Sequence, residues 1–216
     1  MKNALSTATL TALLLAILAP GLTGCVPAAA VGAGAGALMI TDRRHAETYL
    51  ADEGIEIRAV NRVGEKFGDR VHVNVTSYNR MVLVTGEVPD AAARAEVEKI
   101  VGGVPNVKTI TNELQVAGTS SFAARSNDAY LTSKVKARFL DHNKFPATKV
   151  KVVTEAGAVH LLGLVTQREA DAAVDIARTT GGVLKVVRLF EIISEERARY
   201  LDSQPGGSAS PPAEKK

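Results

Sequence analysis

A chain of 216 residues that is 46% hydrophobic is long enough for one or two domains with their own cores, at roughly 100 to 150 residues each. With no Trp, four Tyr and five Phe, those cores must be built from Val, Leu, Ile and Ala, which argues against a large aromatic-lined pocket. The single cysteine excludes an internal disulfide and a Cys-based metal centre, and a formal charge of +3 without a long Lys/Arg run offers no nucleic-acid surface.

The chain starts with Met1-Lys2-Asn3 and an apolar run from Ala4 to Ala19, too short and too Ala-rich to span a bilayer and suited to a signal peptide. Leu22-Thr23-Gly24-Cys25 then resembles the bacterial lipobox, in which the cysteine becomes the first mature residue and its sulfur carries a diacylglyceryl group. Lipidation at Cys25 would account for the lone thiol; an ordinary secretory signal with a chance cysteine is the alternative. Several acyl chains on one residue, at about 0.8 kcal/mol per buried CH₂, make a durable tether. Val26, rather than Asp, follows the cysteine, and the resemblance to Gram-negative lipoproteins then implies an outer-membrane address. The Gly-x-Gly spacing in residues 26–38 has neither a strand before it nor a Gly-Lys-Ser/Thr after it, so an Ala/Gly spacer is expected rather than a phosphate cradle. Thr41 to Tyr49 continues that spacer with charge and no clear period.

From Asp52 the sequence repeats itself. Residues 75–107 match 153–186, with Gly86 on Gly163 and Val88 on Val165, and "GVPNV" at 103–107 falls on "GVLKV" at 182–186. The shift is 77 residues at the first pair and 79 at the second, well above a solenoid repeat and right for a duplicated domain.

In the first copy Ile55, Ala59, Val60, Val63 and Phe67 recur at helical spacing until Gly68, which predicts a helix over 53–67. Val71, Val73 and Val75 alternate with polar residues as a half-buried strand, Ser77 to Arg80 turn, and Met81 to Val88 return. Pro89 suits the first turn of a helix whose inward residues are Ala93, Val97, Ile100 and Val101 and which Gly102-Gly103 end. A last strand over 106–116 places Ile110 and Leu114 on one face.

The second copy follows the same order. Asn127 caps a helix to about residue 142 with Leu131, Val135 and Phe139 inward, and Val150 and Val152 begin a hairpin turning at Glu155 to Gly157. Thr166-Gln167-Arg168-Glu169 is a capping box ahead of Ala170, Ala173, Val174 and Ala177, and the final strand is 184–193. Helix, strand, strand, helix, strand in each half is the pattern of an α+β fold with two helices on one face of a three-stranded sheet.

This order, the "VLVTGEV" and "LLGLVTQREA" strand-to-helix junctions and the Gly-Val-x-x-Val entry to the last strand resemble the BON domain. Two such copies behind a lipobox resemble the dual BON-domain outer-membrane lipoproteins. The resemblance implies a periplasm-facing, non-enzymatic module associated with phospholipid binding and envelope integrity. The expected organisation is a signal peptide over 1–24, a lipidated N-terminus and spacer over 25–51, BON domains over 52–117 and 126–193, a linker over 118–125 and a charged, disordered tail over 194–216.

Charge separates the copies. Residues 52–117 hold eight Arg/Lys against ten Asp/Glu, a net of −2, whereas 126–193 hold ten against seven, a net of +3, so the second copy has the sign for anionic lipid. Tyr130, one position off the Leu131-Val135-Phe139 stripe, lies beside Lys134 at the edge of the buried face, an arrangement suited to a headgroup boundary. Tyr130, Lys134, Arg138 and, further from that edge, Lys136 are the candidate phospholipid-binding residues; a core-edge tyrosine with a solvated basic face is the other reading.

An enzyme finds little support. His45, His72, His142 and His160 form no ligand spacing, His72 and His160 read as strand-face histidines, and no nucleophile elbow occurs. No catalytic residue, metal site or cofactor is therefore expected. The expected partners are the membrane through lipidated Cys25 and anionic phospholipid, with a lipid-anchored scaffold that binds an envelope protein as the alternative.

Overall fold

A computed structural model describes residues 42–204. Cys25, the residues through Thr41 and the tail beyond Gln204 lie outside the described residues. In chain order the elements are α1 (Ala46–Phe67), β1 (His72–Tyr78), β2 (Met81–Val88), α2 (Ala91–Gly102), β3 (Thr109–Asn112), β4 (Gln115–Val116), α3 (Phe122–His142), β5 (Lys151–Glu155), β6 (Ala158–Val165), α4 (Gln167–Arg178), β7 (Lys185–Ile192) and α5 (Glu195–Asp202). The duplicated α+β architecture is as expected from the pattern.

In each copy the hairpin strands run antiparallel and the last strand adds in parallel, so β2 and β6 are central. The predicted strand over 106–116 is interrupted at Glu113-Leu114, yet β3 and β4 keep one register against β2, Val84 opposite Asn112 and Glu87 opposite Gln115. Gly86 has φ +113°, and a Cβ there would meet the His72 carbonyl oxygen at 2.0 Å, which explains why the central strand carries glycine where β1 crosses it.

Each hairpin closes in two residues at positive φ, Asn79 and Arg80 in the first and Ala156 and Gly157 in the second. That geometry matches strand twist, but Arg80 and Ala156 are unfavourable choices for it. A buried aspartate holds both turns. Asp52 on α1 accepts from the Asn79 and Arg80 amides at 2.8 and 2.7 Å and from Ser77 Oγ at 2.6 Å. Asp128 on α3 accepts from the Ala156 and Gly157 amides at 2.9 and 2.8 Å.

The helices cover the outer face of each sheet. Ile55, Ala59, Val63, Val82, Val84, Val97 and Val101 make one core; Val135, Phe139, Val152, Val159, Leu161, Ala173 and Ile176 make the other. The inner faces meet each other. Tyr78 and Leu83 of the first copy pack with Leu162, Leu164 and Leu201 of the second, so β2 and β6 are buried on both sides. Polar contacts surround this third core: Lys151 to Glu56 and Lys185 to Glu113, both at 3.0 Å, and Asn74 to Glu155 at 2.9 Å. Next to them lies His160, 1% exposed, its Nε2 4.0 Å from Glu113 Oε2; burial pushes its imidazole below the usual histidine range against the pull of that carboxylate.

Four expectations are corrected. The expected spacer runs to residue 51, but Arg43 and Arg44 are buried and α1 begins at Ala46; Asp52, a charge, takes the inward position ahead of Ile55, so the apolar period does not reach back into the first turns. The cap of α3 is Ser121, accepting from Ala124 N at 3.2 Å, not Asn127, so the linker gives up its last residues to a helical turn whose residues face solvent. Pro89 stands outside α2, whose N-cap is Asp90. The expected tail begins at 194, yet α5 is capped by Ser194 and buries Ala198 and Leu201, too few apolar positions to register as a period. The Thr166 to Glu169 capping box is present.

Arg43 and Arg44 serve different copies. Arg44 donates to Asp52 at 2.8 Å and lies 4.1 Å from the Tyr78 ring centre, in the first copy. Arg43 reaches the second, donating to both Glu169 oxygens at 2.6 and 3.0 Å, to the Leu164 carbonyl at 3.0 Å and to both oxygens of Asp202 at 3.0 and 2.8 Å. Burial alone would raise the Glu169 and Asp202 carboxyls, but the Arg43 hydrogen bonds hold both below their ordinary values, with Lys149 helping at Asp202.

Two predictions follow from these ties. Asp52→Ala leaves Arg44 Nη1, Ser77 Oγ and two turn amides without their acceptor, although Asp42 still holds the rest of the guanidinium, and should lower unfolding stability by about 3 kcal/mol in urea titrations, with Asp128→Ala close behind at about 2 kcal/mol. Because the Glu169 and Asp202 carboxyls are depressed in the fold, their contribution is complete above ordinary values of 4.5 and 3.8 and is lost as pH falls through the lowered ones. The stability gap between the parent and Arg43→Met, measured by denaturant unfolding from pH 7 to pH 3, should therefore narrow on acidification.

Candidate functional site: the outer face of α3

The inward stripe of α3 is Asp128, Leu131, Val135 and Phe139. At 100° per residue the opposite face carries Phe122, Ser126, Ala129, Tyr130, Ser133, Ala137 and Leu140. Three of these are large and exposed: Phe122 at 82%, Tyr130 at 63% and Leu140 at 69%. Phe122 and Leu140 are 18 residues apart, five full turns, so they lie on one line roughly 27 Å long with small side chains between them. Arg125 and Lys136 run along one flank of this face and Lys134 along the other.

The four residues singled out from the sequence are all on α3, but they do different things. Tyr130 is exposed, with Lys134 Nζ 5.9 Å from its ring centre. Lys134 Nζ also donates to the Gly181 carbonyl at 2.9 Å, and Arg138 donates to the Ile176 carbonyl at 3.0 Å and to Thr180 Oγ1 at 2.8 Å. Both cations thus satisfy carbonyls at the end of α4, where the helix dipole favours positive charge. The first copy repeats this tie: Arg62 on α1 donates to the Gly103 carbonyl after α2 at 2.8 Å. Lys136 is exposed and makes no hydrogen bond or ion pair among the described residues, which leaves its charge available to a ligand. With Leu140 it borders a cavity of about 380 Å³ between the end of α3 and the start of α1, whose opposite wall includes Tyr49 and Tyr78.

Sequence reasoning missed Phe122 and Leu140. Phe122 fell in the expected linker, and its signal was the Ser121 cap, which places it in the first turn. Leu140 was legible as an apolar residue directly after Phe139, therefore turned about 100° away from the core stripe. No helix among the described residues is long and apolar enough to cross a membrane.

A family model for the BON domain matches residues 55–118 and 127–194. The chain is 38% identical over 174 residues to the outer membrane lipoprotein DolP of Haemophilus influenzae, covering 80% of this chain and 90% of that one. It is 31% identical over 154 residues to a 21 kDa hemolysin of Actinobacillus pleuropneumoniae, covering 70% and 79% of the two chains. Osmotically-inducible protein Y of Escherichia coli K12 is 32% identical over 117 residues, or 53% of this chain and 58% of that protein. Both matched segments coincide with the two structural copies, and the chain belongs to the BON-domain family as one of its two-copy outer-membrane lipoproteins.

Proposed function

We propose that this lipoprotein, anchored through Cys25 and facing the periplasm, is a non-enzymatic module that binds anionic phospholipid with the outer face of α3 and so supports envelope integrity. One observation carries the reading. Phe122, Tyr130 and Leu140 are exposed on the side of α3 opposite its core, with Lys136, Arg125 and Lys134 flanking them. An apolar line bordered by cations is the composition of a helix lying in a bilayer interface, the side chains entering the acyl boundary and the cations meeting headgroup phosphates. A basic group near an anionic leaflet is worth about 1 kcal/mol, so two or three matter once the anchor holds the domain close. Lys134 and Arg138 contribute field while remaining tied to α4, and Tyr130 suits the headgroup level.

A second reading, docking of an envelope protein, is favoured by the first copy. Leu50, Ile57 and Val60 are exposed on α1 at 63%, 58% and 45%, facing away from the core of the more acidic domain. Salt separates the two, because contacts between cations and headgroups weaken as ionic strength rises and apolar docking does not.

The chain from Val26 onward, free of its anchor, should sediment with vesicles containing an anionic phospholipid and much less with zwitterionic ones. Phe122→Glu with Leu140→Glu should weaken that binding at least about tenfold, and Tyr130→Ala with Lys136→Glu should do so as well, with the unfolding midpoint unchanged. Arg138→Ala should instead lower stability by about 1 kcal/mol. Equal binding by the parent and the Phe122/Leu140 variant would remove α3 as the contact.

A further inference from the structure

The seam between the two copies holds a side-chain group that the lipid reading does not use. His72 at the start of β1 stands opposite Glu87 near the end of β2, and the His72 Nδ1 and Glu87 Oε2 atoms are 2.9 Å apart. Glu155, the last residue of β5, comes from the other copy. One ligand-capable atom from each of the three lies within 4.8 Å of the others. Glu87 is 4% exposed and Glu155 is 6% exposed, whereas His72 is half-buried and opens the group to solvent.

The charge of this group is out of balance. Glu87 Oε2 accepts from the Ser120 amide at 3.0 Å and has His72 beside it. Glu155 receives only the neutral amide of Asn74, at 2.9 Å, and has no ion pair among the described residues. A carboxylate nine-tenths buried without a counter-ion is costly, and a second buried carboxylate within a few ångströms adds repulsion. One half-buried imidazole cannot neutralise both. A divalent cation can, and it would turn a repulsive contact between domains into a bond between them.

We propose that His72, Glu87 and Glu155 form an interdomain site for a divalent cation of the Zn²⁺ class, which staples the two BON domains together. One imidazole and two carboxylates with a water in the fourth position is a donor set Zn²⁺ accepts, whereas Mg²⁺ asks for six oxygens. Metal–ligand bonds of about 2.0 to 2.2 Å place neighbouring donors roughly 3.3 to 3.5 Å apart, so side-chain rotation of about an ångström closes the set. Ser120 and Asn74 supply the outer hydrogen bonds that orient Glu87 and Glu155. The ion would take the place of the direct His72 Nδ1 to Glu87 Oε2 contact and bridge the two side chains. Sequence spacing concealed the group, since its members lie on three strands in two domains.

The test uses the full lipidated chain in detergent, stripped with EDTA and titrated with zinc chloride, magnesium chloride being the control. Calorimetry should show one zinc per chain and no matching magnesium response, and Tm should rise by about 5 °C or more at a hundredfold excess over Kd. Glu155→Gln keeps the volume and the Asn74 contact but removes the charge; it should fold, with a metal-free Tm at or above the parent's, and bind zinc at least tenfold more weakly. His72→Asn should weaken zinc binding to the same degree. Absence of stoichiometric zinc in the parent would overturn the site, as would unchanged affinity in both variants. A Glu155→Gln gain in Tm together with no zinc binding by the parent would mean that a proton alone balances the charge, and would equally overturn it.

Discussion

Each domain depends on a buried aspartate gripping two successive amides of a hairpin turn. The turn residues alone are a poor choice, because Arg80 and Ala156 are held in the left-handed region that glycine or asparagine enters more readily. Asp52 and Asp128 fix those turns from the first helix of each copy, and so fix the angle at which that helix crosses its sheet. The two solutions differ in one respect. Asp52 is only 1% exposed and is met by Arg44, and this need for a counter-charge draws the segment before α1 into the fold. Once Arg44 is placed, its neighbour Arg43 lies at the seam and ties down Glu169 and Asp202 of the second copy. A local requirement of one turn thus becomes a link between domains.

The second constraint is that both central strands carry buried apolar residues on both faces. In a lone α+β domain the face away from the helices meets water and alternates with polar residues. Here Leu83, Leu162 and Leu164 occupy that face, and burying each against the other copy stabilises by about 1.5 to 3 kcal/mol. With the inner faces consumed, the helices become the outer surfaces of the pair. The exposed Phe122, Tyr130 and Leu140 therefore belong to neither core nor domain interface, and on the proposed reading they meet lipid.

Much of this was legible. Repetition near 77 residues, the capping box at Thr166 and the Gly102-Gly103 helix end mark the element order, because each depends on local chemistry. Even the interdomain packing left a mark, since "MVLV" at 81–84 and "LLGLV" at 161–165 are unbroken by charge where a one-faced strand would alternate with polar residues. What stayed hidden required partners distant in sequence. The Arg43-Arg44 pair looks like spacer charge until Glu169 and Asp202, over 120 residues away, are brought to it. Lys134 and Arg138 looked available to ligand, yet the α4 carbonyls that occupy them appear only when the helices pack.

The anchor and α3 divide the labour on the proposed reading. Sixteen residues lie between Cys25 and Asp42, so whatever their conformation the folded pair starts within roughly 60 Å of the lipidated residue. At that range the effective concentration of bilayer is high, and α3 needs only a weak, salt-sensitive affinity to stay engaged for part of the time. A stronger interface would be redundant with the acyl chains. A weak one lets the pair alternate between lying on the lipid and standing off it, and the basic flanks of α3 make lipid charge the variable that sets the balance.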